Sequence, residues 1–78
     1  MNILIYHTKG CQKCRLTNML LGTTNTKMIE ITSEDKRLEQ FRQRGYSSFP
    51  VVEVYKDGEL IDGWTDLNLD KIKLYKNK

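Results

Sequence analysis

Cys11 and Cys14 are the only cysteines in the chain, and just Gln12 and Lys13 separate them. A disulfide across so small a loop stabilises a fold by roughly 2 kcal/mol at most, before geometric strain is subtracted. The pair is better placed for dithiol–disulfide exchange than for holding structure together. In that exchange the attacking species is a thiolate, so one of the two needs a lowered pKa. Two other readings of the pair exist. A structural zinc site needs four ligands, and the chain offers Cys11, Cys14 and His7, its only histidine. A carboxylate or a second chain would have to complete such a non-catalytic metal-binding module. Alternatively, both cysteines are inert small hydrophobes in a core, against which stand their polar neighbours Lys9, Gln12 and Lys13. His7 as a general base is a further option, although a lone histidine at a strand end is more often a surface or partly packed residue.

The elements that position the cysteines can be read from the flanking sequence. Ile3 to Tyr6 form a continuous apolar, mostly β-favouring run, as in a strand buried on both faces. His7 to Gly10 is a polar loop that leads into Cys11. From Gln12 onward Leu16, Met19 and Leu20 fall at helical spacing and Gly22 closes the helix. Cys11 should therefore stand at a helix N-terminus, where unpaired N–H groups and the helix dipole stabilise a thiolate. Cys14, a turn further in, suits the resolving role. Lys9 and Lys13 add positive potential nearby.

After a polar connection over residues 23–26, Met28, Ile29 and Ile31 predict a second strand and complete a βαβ unit. Thr32 or Ser33 can cap a second helix carrying Glu34 and Asp35 in its first turn, with Leu38 and Phe41 on its apolar face and Gly45 at its end. Val51 to Tyr55 is the strongest strand signal. Asp57-Gly58 predicts a hairpin turn into a short strand at Leu60 and Ile61. Beyond Gly63, Leu67, Leu69, Ile72 and Tyr75 predict a last helix. Met19 and Met28 read as core filler.

The 78 residues form one expected domain, 1–78, small enough that a single core must serve. Charged residues make up 29% and hydrophobic residues 38%, which excludes a disordered chain. No segment approaches the ~20 apolar residues of a membrane span, so no membrane partner is expected. No signal-peptide core is visible. The expected compartment is the cytoplasm, where a CxxC pair is catalytic or metal-binding rather than structural. The net charge of +3 is spread out. Lys36, Arg37, Arg42 and Arg44 alternate with Glu34, Asp35 and Glu39 as on a solvated helix face, and Lys71, Lys73, Lys76 and Lys78 crowd the end. This pattern predicts no nucleic-acid partner and favours an acidic protein partner.

A CxxC that ends a first strand and opens a helix inside a βαβ unit resembles the thioredoxin-like redox motif. Length and element order narrow the resemblance to the glutaredoxin branch. Within it the chain is similar to the NrdH-type redoxins, small glutaredoxin-like electron donors of ribonucleotide reductase. The stretch from Ile5 to Cys14 carries this resemblance, with Gly45-Tyr46-Ser47-Ser48-Phe49-Pro50-Val51-Val52 and the Gly63-Trp64 region. The chain departs from both branches at Asp62-Gly63-Trp64-Thr65-Asp66-Leu67. NrdH-type proteins carry Trp-Ser-Gly-Phe-Arg-Pro near the end, and glutaredoxins a Gly-Gly-x-Asp-Asp stretch whose aspartates help hold glutathione. Only the second aspartate is kept, as Asp66, with Thr65 in place of the first.

The resemblance implies an α/β thioredoxin-like fold, βαβαββα, with a central four-stranded mixed sheet flanked by helices. It implies a thiol–disulfide oxidoreductase in which Cys11 attacks, Cys14 resolves, and the Cys11–Cys14 disulfide is the redox group with no bound cofactor or metal. It implies a cis peptide bond before Pro50, and a substrate groove formed by Phe49, Pro50, Trp64, Thr65 and Asp66. Trp64 is there either a partner anchor or a core aromatic. The implied partners are ribonucleotide reductase as substrate and thioredoxin reductase as reductant of a monomeric protein, with glutathione as the alternative reductant.

Overall fold

The computed structural model describes residues 1–22 and 25–76. Thr23 and Thr24 of the expected connection, and Lys78 of the terminal lysine group, lie outside the described residues. The elements are β1 (Asn2–His7), α1 (Gln12–Leu21), β2 (Thr26–Glu30), α2 (Arg37–Gln43), β3 (Val51–Lys56), β4 (Glu59–Thr65) and α3 (Leu69–Tyr75). The strands form one four-stranded sheet in the order β2-β1-β3-β4. β1 runs parallel to β2 with Ile5 beside Met28, and antiparallel to β3 with Ile5 beside Val52. β3 pairs antiparallel with β4, placing Val52 beside Trp64. The α/β, four-stranded mixed architecture is the one expected.

Alternation of side chains along a strand explains why the middle of β1 and most of β3 are apolar. Ile3, Ile5, Val52, Val54 and Trp64 point to one face, where Leu21 of α1 and Ile72 and Tyr75 of α3 cover them. Tyr6 and Val51 point to the other and pack with Ile31 and Phe41, the latter on α2. Both central strands are thus covered on both sides. The hairpin turns at Asp57-Gly58, both with positive φ (54° and 80°), as a two-residue turn matched to strand twist requires.

Several boundaries differ from the sequence reading. In α1 the buried positions are Cys14, Thr17 and Leu21, and Met19 is 69% exposed rather than core. Cys14 and Thr17 carry no apolar signal in the sequence. Thr17 can be buried because its hydroxyl donates to the Lys13 carbonyl at 2.8 Å. Met28 does pack against the core. Ile31 lies just past β2, where its N–H donates to the His7 carbonyl at 2.7 Å. α2 begins at Arg37, not after Thr32 or Ser33, because Asp35 turns back on the chain. Its carboxylate accepts from the Arg37 backbone N–H (2.9 Å) and from the guanidinium (3.0 and 2.8 Å).

β4 extends through Gly63 and Trp64 to Thr65, past the short strand expected. Gly63 allows this, since a Cβ there would lie 2.5 Å from the Tyr46 hydroxyl. α3 is capped by Asn68, whose side chain accepts from the Lys71 N–H at 3.1 Å. Leu69 is 53% exposed instead of packed. Asp62 ties α3 to the sheet, accepting from Lys71 Nζ at 2.8 Å and from the Tyr75 hydroxyl at 2.7 Å.

The cations near α2 are not all solvated. Arg37 lies over the Tyr6 ring, 5.4 Å from its centroid. Arg44 pairs with Glu53, which alternation places on the α2 face of β3 and which is only 2% exposed. The Tyr55 hydroxyl donates to the other Glu53 oxygen at 3.1 Å. Burial, reinforced by the Glu53 charge, pushes the Tyr6 hydroxyl up to about 12.

Candidate active site

The site begins where β1 ends. Gly10 takes a left-handed conformation (φ 76°), which turns the loop so that the Cys11 N–H donates to the Thr8 carbonyl at 3.3 Å. Cys11 is the N-cap of α1, with its Sγ accepting from the Cys14 N–H at 3.1 Å. That sulfur occupies the place that a capping oxygen takes in other helices. When the sulfur is a thiolate, the same N–H and the positive end of the helix dipole stabilise its charge. Cys11 and Cys14 form a disulfide with Cα atoms 5.3 Å apart. Cys14 is fully buried, whereas Cys11 is partly exposed. The helix start predicted from the sequence therefore places Cys11 at the surface and Cys14 beneath it.

A hollow of about 200 Å³ opens beside Cys11, walled by His7, Lys9, Arg15, Met28 and Glu30 among others. His7 keeps its Nδ1 3.4 Å from the Thr8 carbonyl. Lys9 is exposed. Lys13 is also exposed, and its ammonium meets Asp66 Oδ1 at 3.0 Å. Asp66 also accepts from the Leu67 N–H at 2.8 Å. The Lys13 hydrogen bond, with that N–H, holds the Asp66 carboxyl below its ordinary range.

The Phe49–Pro50 peptide is cis. The Pro50 carbonyl accepts from the Asp66 N–H at 2.9 Å. Pro50, Asp66 and Lys13 are thereby linked, joining the start of β3, the β4–α3 corner and the first turn of α1. Thr65 is partly buried in the last position of β4, beside Val51. Trp64 is the residue the structure removes from the expected groove. It is 5% exposed and stacks on Tyr75 with centroids 5.7 Å apart, because alternation along β4 points it inward under α3. Sequence reasoning missed the Lys13–Asp66 pair and the contributions of Arg15, Met28 and Glu30. Residues this far apart meet only through the parallel pairing of β1 with β2 and the packing of α3 beside α1.

Among the described residues, no group of three or more His, Cys, Asp or Glu side chains is arranged to hold a metal ion. No helix among them is long and apolar enough to cross a membrane.

The aspartates give the fold a defined acid limit. The Arg37 hydrogen bonds lower Asp35 to about 2. Burial raises Asp62, but hydrogen bonds from Lys71 and Tyr75 outweigh it and leave the carboxyl depressed. A carboxyl depressed in the folded state contributes stability above its unfolded pKa, ~3.9 for aspartate, and loses it as pH falls through the folded value. Tm is therefore expected to fall as pH drops below about 4 and to continue falling toward about 2. Thermal unfolding by circular dichroism checks this. Asp62→Asn should show a shallower fall, and a Tm unchanged across that window would contradict the assignment.

No protein-family model matches the chain. No curated protein matches it either. Solved structures do. NrdH-redoxin from Escherichia coli, described as a glutaredoxin-like protein with a thioredoxin-like activity profile, superposes with a TM-score of 0.75 at 25% identity, over 95% of this chain and 93% of its own. Thioredoxin 1 from Thermosipho africanus matches with a TM-score of 0.64 at 11% identity, over 96% of this chain and 89% of that one. Thioredoxin from Aeropyrum pernix matches with a TM-score of 0.58 at 18% identity, over 94% and 70%. The resemblance to an NrdH-type redoxin holds in three dimensions. With a redox-active disulfide at the start of α1 of such a fold, the chain is a thiol–disulfide oxidoreductase.

Proposed function

We propose that this thiol–disulfide oxidoreductase is a small electron donor that reduces disulfides in partner proteins, with Cys11 attacking and Cys14 resolving. The observation that carries the reading is the asymmetry of the pair. Cys11 Sγ caps the helix within 3.1 Å of the Cys14 N–H, and Cys14 is fully buried. In the reduced protein the Cys11 thiolate attacks one sulfur of a partner disulfide, and the partner's other sulfur leaves as a thiolate. Cys14 then gives up its proton and attacks the Cys11 sulfur of the mixed disulfide. The second partner thiolate departs, two electrons have passed to the partner, and Cys11–Cys14 is oxidised. The disulfide itself is the redox group, so the reaction calls for no bound cofactor.

The resemblance of the Ile5–Cys14 and Gly45–Val52 stretches to NrdH-type redoxins implies ribonucleotide reductase as the partner of a monomeric cytoplasmic donor, and the thioredoxin-like activity profile of NrdH-redoxin supports thioredoxin reductase as the reductant. Phe49 and Pro50, at the head of β3, and Thr65 and Asp66, at the end of β4, are the groove residues this reading keeps. For the alternative, glutathione as reductant, the one retained aspartate would have to exchange its exposed ion pair with Lys13 for the glutathione amine.

The test is NADPH consumption with a protein disulfide under two recycling systems, thioredoxin reductase in one and glutathione with glutathione reductase in the other. Turnover with the first alone is expected. Turnover with the second alone would make glutathione the reductant and Asp66 its binding residue.

A further inference from the structure

Cys11 stands in the wall of a hollow that is small and polar. Its volume of about 200 Å³ falls below the roughly 300–1,000 Å³ of sites that take drug-sized ligands. An adjoining hollow is larger, about 530 Å³, and apolar at Ile31, Leu38 and Phe49. The two share Thr8, Lys9 and Glu30, but Cys11 and Arg15 line the small one alone. The sulfur therefore faces a space fitted to a molecule of a few heavy atoms.

The charge around that space is uneven. Lys9 and Arg15 line it and enter no ion pair among the described residues, and Glu30 is its one acidic side chain. Thr8 adds a hydroxyl to the same wall. The Arg15 N–H donates to the Cys11 carbonyl at 3.3 Å, so the first turn of α1 holds the Arg15 backbone against the cysteine. Disulfide exchange has little use for two cations here, because its leaving group is a thiolate, whose conjugate acid has a pKa of about 8.5. A leaving oxygen is far more basic, with a pKa of about 15.7 for water, and gains much more from nearby positive charge.

We propose that this hollow is a hydroperoxide site, and that the protein reduces hydrogen peroxide and small alkyl hydroperoxides with the dithiol it uses on protein disulfides. The proposal rests on the oxidoreductase reading, since it needs Cys11 as the attacking thiolate and Cys14 as its partner. The Cys11 thiolate attacks one peroxide oxygen, so that an S–O bond forms as the O–O bond breaks. The other oxygen departs into the space lined by Lys9 and Arg15, takes a proton from solvent, and leaves as water or an alcohol. Cys11 is then a sulfenic acid. Cys14 loses its proton and attacks the Cys11 sulfur, displacing hydroxide, which that proton neutralises to water. The peroxide has gained two electrons, and the dithiol has become the Cys11–Cys14 disulfide. The reductant of the main cycle restores it.

The probe is hydrogen peroxide, mixed with the reduced protein at several pH values while the loss of free thiol is followed. Each second-order rate constant is divided by the Cys11 thiolate fraction, read from the pH dependence of iodoacetamide alkylation. Free cysteine treated in the same way is the reference. The protein's thiolate is expected to react about tenfold faster or more, although a lowered thiol pKa by itself makes a thiolate less nucleophilic. Arg15→Gln should lower the peroxide rate about tenfold relative to the rate on a small aromatic disulfide, as loss of one hydrogen bond to a charged group predicts. Arg15→Lys should keep most of the rate, and Glu30→Gln should raise it. In Cys14→Ser, dimedone should capture one sulfenic acid at Cys11, seen by mass spectrometry.

A normalised rate no faster than that of free cysteine would overturn the peroxide activity and leave disulfide reduction standing. Equal losses on peroxide and on the small disulfide in Arg15→Gln would remove the hollow as the peroxide site. Failure of the unaltered protein to reduce either substrate would overturn the oxidoreductase reading as well.

Discussion

Replacing Cys11 with serine is expected to bring protein-disulfide reduction down to the rate measured without the protein. Cys14→Ser should keep the first half of the reaction and lose the second. The reason lies in what each sulfur can reach. Cys11 caps α1 at the surface, in a position that favours its thiolate. Cys14 has no exposed surface and can meet only the Cys11 sulfur it is bonded to. A Cys14→Ser protein should therefore accumulate a one-to-one mixed disulfide with its partner, visible by mass spectrometry and released by dithiothreitol. Cys11→Ser should accumulate none. In the reduced wild-type protein, iodoacetamide should alkylate Cys11 well below pH 8, far ahead of Cys14. Trapping by Cys11→Ser instead would reverse the two roles.

The second large effect falls on stability, at a residue remote from the sulfurs in sequence and function. Arg44→Met is expected to destabilise the fold by about 2–4 kcal/mol, because it leaves a buried carboxylate without its cation. Glu53 keeps just 3% of its side chain exposed, with Arg44 on one oxygen and the Tyr55 hydroxyl on the other. For a chain of 78 residues that loss lowers Tm by roughly 10–20 °C. The double variant Arg44→Met/Glu53→Leu should recover most of it, since it removes the buried carboxylate along with its half-exposed cation. Urea titrations of the two variants decide the matter. If Arg44→Met alone costs less than about 0.5 kcal/mol, the pair is an ordinary surface bridge.

Glu53 shows why part of the molecule was illegible in the sequence. Nothing in Val-Val-Glu-Val says whether the charged residue meets solvent or a partner. β3 is central and covered on both faces, so the charge is buried and recruits Arg44 from the end of α2. Trp64 is the converse case. After Gly63 the sequence allows either a surface anchor or a core residue, and only its register beside Val52 turns it inward onto Tyr75. The spacing of Met19 with Leu16 fits a helix face, yet Met19 is exposed because burial of Cys14, Thr17 and Leu21 fixes the rotation of α1.

What the sequence by itself determined is what local physics controls. The apolar run at Ile3–Tyr6 is a strand buried on both faces, because an amphipathic alternation is missing from it, and Val51–Tyr55 is a strand because β-branched and aromatic residues dominate it. Asp57-Gly58 is a hairpin turn because the positive φ angles it needs are accessible to these residue types. Cys11 stands at a helix start because a glycine loop precedes it and a helical stretch follows. The CxxC chemistry was legible for the same reason, since two sulfurs and a helix N-terminus lie within a few consecutive residues.

Only the tertiary structure decided what depends on contacts between distant segments. Lys13 meets Asp66, and Asp66 meets the Pro50 carbonyl, because α1, β4 and the head of β3 converge at one end of the sheet. Thr8, Lys9 and Glu30 form a common wall because β1 and β2 end side by side. The apolar hollow of Ile31, Leu38 and Phe49 draws on three separate segments, and no spacing within any one of them announces it. Long-range contacts of this kind are set by strand register and by how each helix is rotated on the sheet. A one-residue change in either would present different side chains to the groove.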